Sequence, residues 1–500
     1  MSRTVDADFL ALPLAALSDA AISAAKSAGA SHVDVRIERT RSGILSLRDA
    51  KPETQSDETN VGIGVRVIVN GAWGFASSPD LSVETAQRLA NTAVAMAKTS
   101  KPLSTEEVAL AAEPVYANQV WVSAYEIDPF AVSDEERKDR LASLSSKLLS
   151  AKSVNHTSAY TMYVKEQKHY ADSYGTSTTQ QRVRMQTQIE AISISEHGFE
   201  SIRTLAQPAG YGWEWMRNDI WNWDKEIDEL PELLAEKVKA PSVEPGKYDL
   251  LIHPSNLWLT IHESIGHATE LDRAIGYEAN YAGTSFATPE KLGTLKYGSN
   301  LMNVTGDRLT EHGLSTVGWD DEGVAAQRWD IVKDGVLVGY QLDRRIAARV
   351  NRDRSNGCAF ADSPAHVPIQ RMPNVSLQPN PNGPTLDKLI ESVEDGIYIL
   401  GDKSWSIDMQ RYNFQFTGQQ FHRIKNGKLA GQVKDVAYQA TTTDFWGAMK
   451  AVGGPSTYVL GGAFNCGKAQ PGQVAAVSHG CPAAVFEKIN ILNTVAEAGK

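Results

Sequence analysis

His262-Glu263-Ser264-Ile265-Gly266-His267 sets two histidines around a glutamate within six residues. A metal hydrolase needs these residue types: two neutral nitrogen donors for an ion, and a carboxylate beside them to take a proton from water. The spacing is one residue longer than in the H-E-x-x-H zinc signature, and that changes the geometry. Histidines at i and i+4 lie about 40° apart around an α-helix and share one ion; at i and i+5 they lie about 140° apart. A π-bulge would widen the turn and bring i and i+5 onto one face. A distortion at Gly266, which has no Cβ to resist it, would do the same. The spacing therefore predicts a non-ideal helix between Ser264 and Gly266. Glu263 adjoins His262 and lies roughly 40° from His267 around the helix, so it can flank an ion without ligating it, as a general base does.

A catalytic zinc keeps three protein ligands and one open position. Candidates for the third ligand are Glu270, His253, His479, Cys466 and Cys481. Glu270, three residues past His267, could instead orient a histidine. Spacing does not choose among them. Cys466 sits on a glycine-flanked segment, Gly461 to Lys468, suited to reach into a site, where a metal would hold it as thiolate. Two readings compete with a metallopeptidase. One is a non-catalytic pairing or scaffold subunit whose metal is structural. The other is a cysteine hydrolase pairing Cys466 with His479 or His422.

The elements that must carry these residues read as α+β. In the first half, residues 8–29, Ser82 to Lys98, Glu135 to Ala151 and Leu230 to Lys239 have helical patterning. Val33 to Ile37 alternates as a strand, Gly62 to Phe75 reads as a hairpin turning at Asn70-Gly71, and residues 158–206 carry several antiparallel strands. Linker composition from Ala240 to Gly246 divides an N-terminal α+β domain, 1–240, from a C-terminal domain, 247–500. The latter opens with a strand at Tyr248 to Ile252 and the histidine-bearing helix. It continues as mostly antiparallel, barrel-like sheet, interrupted by a helix at Gln341 to Val350.

The chain has 500 residues and a formal net charge of −11, which argues against a nucleic-acid partner. Three cysteines form no disulfide framework and suit a reducing compartment, so the cytoplasm is the expected location. No run approaches the ~18 uninterrupted apolar residues of a membrane span, and Asp6 and Asp8 precede the first apolar run where a signal peptide is basic. The tryptophans of Tyr211 to Trp223 fit packing in a core or at a domain junction better than a peptide grip or a dimer contact. Asp320-Asp321-Glu322 reads as a solvated turn. Arg344, Arg345, Arg349, Arg352 and Arg354 read as a solvated face with local ion pairs. Gly62-x-Gly64 lacks the rest of a dinucleotide fingerprint.

Several stretches together resemble the TldD/PmbA family of metallopeptidases. They are the helix HESIGHATELD, Asp320 to Gly323, Gly335 to Asp343, Arg371-Met-Pro-Asn374 and Asn465-Cys466-Gly467-Lys468, in that order, with Gly64-Val65-Arg66 and Gly74-Phe75 earlier. The resemblance spans nearly the whole chain. It implies His262, His267 and Cys466 as zinc ligands and Glu263 as the catalytic carboxylate. It also implies a peptide substrate and a dimer with itself or with a related subunit lacking the motif. A thiolate ligand would put more charge on zinc than a histidine and make it a milder Lewis acid, which fits slow processing of short or unfolded peptides. Ala469 departs from the family pattern, which commonly has an acidic residue or glycine there.

Overall fold

The computed structural model describes residues 3–196 and 198–496. The first half is built on a seven-stranded sheet whose longest members are His32–Arg48, Lys51–Val69, His156–Asp172 and Ser177–Ser195. Period-two alternation divides its faces. Val33, Val35, Ile37, Leu45 and Leu47 point one way, into apolar clusters shared with the helices Leu14–Ser27, Val83–Ser100, Asp134–Leu149 and Trp223–Lys239. Asp34, Arg36 and Glu38 point the other way. They share that face with Arg66, Lys168, Glu166 and Arg182, their cross-strand neighbours or those one pair further on. All of these are buried.

The charged face is covered by the second half of the chain. Lys168 donates to Asp321 Oδ2 at 2.7 Å and to the Ala361 carbonyl; Arg66 pairs with Asp34 at 2.8 Å and with Glu322 at 2.9 Å. The acidic triplet is therefore no solvated turn. Asp320, Asp321 and Glu322 are all buried because they answer cations on the sheet and cap backbone N–H groups. The arginine run is mixed. Arg349 and Arg354 pair with Glu106 and Glu113 as expected, but Arg344 is buried and donates to the Ala111 and Glu322 carbonyls.

One member of this interface makes acid stability predictable. Burial alone would raise the Asp34 carboxyl, but Arg66 and His32 outweigh it and hold it at about 2, against 3.8 unperturbed. A folded value below the unfolded one stabilises above the unfolded value and is lost as pH falls through the folded one. The window is thus pH 3.8 down to about 2, and the contribution about 2 kcal/mol. Melting wild type and Asp34→Asn across that range should show the variant less stable at neutral pH and the two curves converging on acidification. Parallel curves would refute this.

The second half centres on a closed five-stranded barrel: Gly246–Ile252, Asp395–Ile407, Asn413–Lys425, Val436–Thr441 and Ala484–Asn493. All pairs but one are antiparallel; Gly246–Ile252 runs parallel to Asp395–Ile407. A largely apolar core of Leu250, Ile397, Phe416, Tyr438, Phe445 and Phe486 fills it and surrounds the helix that leaves the first strand. The hairpin Val459–Ala469 with Gly472–Cys481 lies alongside and carries Cys466.

Several elements differ in extent from their sequence patterns. The first helical stretch breaks at residues 11–13, ahead of Pro13, into Ala7–Leu10 and Leu14–Ser27. Ala7–Ser27 as a whole is long and apolar enough to meet the length and composition of a membrane span; Phe9, Leu17, Ala21 and Ala25 bury its apolar side against the sheet. The Trp223–Lys239 helix starts seven residues before its predicted start, capped by Asn222, because Trp223 docks in the core and donates to the Trp215 carbonyl at 2.8 Å. Trp213, Trp215 and Trp223 are all core residues. The helix expected over Gln341 to Val350 is confined to Arg344–Arg349, capped by Asp343.

Candidate metal centre

The strand Gly246–Ile252 runs through His253 into the helix Pro254–Ile261, which starts on a proline whose missing N–H is no loss in a first turn. That helix widens into a π turn over His262–Gly266. The i, i+5 spacing thus takes the π-bulge solution. Neighbouring side chains satisfy the carbonyls of the irregular turn: Tyr297 Oη donates to Ser264 O, Thr269 Oγ1 to Ile265 O and Gln341 Nε2 to Gly266 O. Trp446 Nε1 holds Ser264 Oγ at 2.9 Å. Gly266 has ordinary helical dihedrals, so its value lies in room: a Cβ there would stand 2.5 Å from Met372 Sδ.

The widened turn brings the two imidazoles together, with ring centroids 4.7 Å apart. Their tautomers follow from their partners. His479 Nδ1 lies 2.8 Å from the Val375 carbonyl, which can only accept, and burial holds His479 well below the usual imidazole value, so it is neutral. Its Nε2 must therefore accept from His262 Nδ1–H, at 2.7 Å. His267 Nδ1 donates to Glu270 Oε2 at 2.9 Å. Both histidines are left with an Nε2 lone pair to offer an ion.

Cys466 supplies the third donor. Its Sγ is 3.7 Å from His267 Nε2, and the donor atoms of His262, His267 and Cys466 all lie within 4.8 Å of one another. A nitrogen and a sulfur sharing a tetrahedral zinc stand roughly 3.6 Å apart, so these residues fit such an ion. Burial alone would raise the thiol; His267 and Arg371 outweigh it and hold Cys466 below the ordinary thiol value, toward the ligating thiolate. Arg371 also clamps the hairpin strand by donating to the Cys466 carbonyl.

Among the other candidates, Glu270 orients His267 and is itself held by Arg273 at 3.1 Å and Lys468 at 3.5 Å. His253 caps the helix through Ser255, and Cys481 faces the Pro254 carbonyl with its thiol pushed up by burial. His422 packs against Tyr398 in the barrel. His479 bonds to His262, so neither proposed partner of a cysteine nucleophile is hydrogen-bonded to Cys466.

Glu263 lies in the same cleft, outside the donor triad. Burial alone would raise its carboxyl, but His267, His262 and Arg411 hold it below the ordinary carboxylate range. The cleft encloses about 460 Å³. Cys466 and the π turn border it, as do Gln186 and Arg203 of the first-half sheet and Trp405 and Arg411 of the barrel. A larger groove of about 830 Å³ lies elsewhere, by Tyr277 and Arg349, and includes none of the donor triad.

A family profile described as the PmbA/TldA metallopeptidase C-terminal domain matches residues 245–493, and one for domain 1 of the same metallopeptidases matches residues 33–97. The chain belongs to the TldD/PmbA family and is a metallopeptidase. It is 26% identical over 430 residues to a metalloprotease of Methanocaldococcus jannaschii, covering 84% of this chain and 89% of that one. It is 20% identical over 482 residues to a zinc metalloprotease TldD homolog of Saccharolobus solfataricus, covering 94% and 98%. In fold it matches TldE from Thermococcus kodakarensis with a TM-score of 0.71 and 15% identity, covering 95% and 99%. The TldD/PmbA fold thus joins a helix-flanked sheet to a barrel at the cleft. Three residues bordering that cleft had no distinguishing signal in the sequence: Arg203, Trp405 and Arg411. Arg371 stood in a stretch noted for its family likeness, but nothing there tied it to Cys466.

Proposed function

We propose that this metallopeptidase is zinc-dependent, with His262, His267 and Cys466 as ligands and Glu263 as general base, and that it hydrolyses short or unfolded peptides. One observation carries the reading: a carboxylate held below its ordinary range stands beside a triad of metal-type donors without belonging to it, in a cleft of about 460 Å³. A structural site has no use for that carboxylate. Bound zinc would supply Lewis acidity and make water a stronger acid. Glu263 then takes the proton as the water oxygen attacks the scissile carbonyl carbon, and passes it to the leaving amine nitrogen as the C–N bond breaks. Glu270 and His479 keep the two imidazoles in one tautomer and one orientation throughout. Burial of the centre excludes bulk water from the charges that develop. The partner we propose, from the family resemblance, is a second copy or a related subunit.

Metal removal tests this reading. Dialysis against a chelator should abolish cleavage of internally quenched peptides, and one equivalent of zinc per chain should restore it. Undiminished cleavage by metal-free protein would reject it.

A further inference from the structure

Arg411 holds a position in the cleft that the fold maintains at some cost, with a charge the fold leaves largely unanswered. Its side chain is only 14% exposed. Its Nε is buried without an acceptor. Its Nη2 donates at 3.2 Å to the Ala282 carbonyl, which Arg273 Nη1 already engages at 2.6 Å. Among the described residues its one ion pair is with Glu263 Oε2, 3.5 Å from Nη1. The neighbouring cations are better served: Arg273 has Glu270, and Lys468 has Glu270 and Asp272.

The backbone shows the same emphasis. Arg411 sits at φ +62, in the left-handed region, where a side chain costs energy and glycine or asparagine would not. Asp408 maintains the turn by accepting from the N–H groups of Gln410, Tyr412 and Asn413. Thr284 and Phe286 N–H groups tie down the Met409 and Gln410 carbonyls. Gly283, at φ +82, lets that segment approach: a Cβ there would stand 2.0 Å from Met409 O.

We infer that Arg411 is a catalytic residue of the peptidase reaction proposed above, its guanidinium donating to the scissile carbonyl oxygen as that oxygen becomes negative. The inference rests on that reading. The geometry favours the reacting carbonyl over a substrate's terminal carboxylate. Arg411 is within a contact of the proton-transfer group, whereas a terminal carboxylate lies at least one residue further on, roughly 3.3–3.6 Å along an extended chain. The charge balance also agrees. Water oxygen bonds to the carbonyl carbon, one water proton goes to Glu263, and the C=O π pair moves onto oxygen. Negative charge thus leaves the carboxylate that holds Arg411 and arises on the oxygen Arg411 faces. On collapse the pair returns, the C–N bond breaks, and the Glu263 proton goes to nitrogen. A fixed donor that needs no reorganisation is what stabilises such an oxyanion.

The test compares zinc-loaded wild type, Arg411→Met and Arg411→Lys on a fluorogenic peptide, its C-terminal amide, and a phosphinate analogue that imitates the tetrahedral anion. Arg411→Met should lower kcat by about 10²–10³-fold with KM little changed and zinc content unaltered. Its affinity for the phosphinate should fall in parallel with kcat/KM. Arg411→Lys, which keeps the charge but not the fork, should recover part of both and carries the test if the methionine variant does not fold. Wild-type turnover in Arg411→Met overturns the inference, as does a kcat loss without a phosphinate loss. A defect confined to peptides with a free C-terminus overturns it too. An inactive wild type sinks the peptidase reading and this inference together; an active wild type with an indifferent Arg411→Met sinks this inference alone.

Discussion

Glu263→Gln should lower kcat for peptide hydrolysis by about 10²–10⁴-fold while the protein keeps its full complement of zinc. Glutamine has the shape of glutamate and can still accept from Arg411, so the cleft and the donor triad stay as they are. It lacks the basic oxygen that takes a proton from water. The proposed ligands His262 and His267 each spend Nδ1 on a partner, and Asp402, another carboxylate lining the cleft, is engaged by Arg203 and Trp258. Elemental analysis beside steady-state kinetics separates this outcome from its rivals. Loss of zinc together with activity would make Glu263 a ligand. Retained kcat would leave the metal with a structural role and favour a non-catalytic subunit.

Glu270→Ala should have the largest effect on stability. Glu270 is fully buried and takes three positive or donating groups at once: His267, Arg273 and Lys468. Burial alone would raise its carboxyl; Lys468, His267 and Arg273 hold it well below the ordinary range, so it is charged. Removing one partner of such a buried network leaves the others uncompensated, at a cost of about 3–5 kcal/mol. His267 would also lose the acceptor that fixes its tautomer, and metal affinity should fall about 10–100-fold. Thermal melts of the apo form isolate the first effect, and competition with a chromophoric chelator measures the second. A variant that melts with wild type and binds zinc equally well would show that Lys468 and Arg273 are satisfied by Asp272 and backbone alone.

Much of the fold could be read because its signals are local. Asn70-Gly71 forms the predicted tight turn, with Val69 opposite Ala72 and both turn residues at positive φ. The α+β class and the curled second half followed from strand patterning and turn residues. Mis-sized helices trace to longer-range causes. Trp223 extends its helix because the core wants an indole there, and the 8–29 pattern splits where Pro13 has no N–H to give. That the charged face of the first-half sheet is covered had no signal in the sequence, since alternation reports which residues share a side but not what covers it.

The sequence by itself determined the chemistry available at the centre. Two imidazoles and a carboxylate at i, i+5 spacing require a widened turn, because a regular helix would point the rings about 140° apart. It offered five candidates for the third donor, and spacing did not choose among them. Only tertiary structure separated Cys466 from His479, turning the one toward His267 and locking the other behind His262. Only tertiary structure put Arg411 against Glu263, 148 positions away, for that contact depends on a barrel closing. Spacing along a chain fixes geometry within one element; it carries no information about which elements meet.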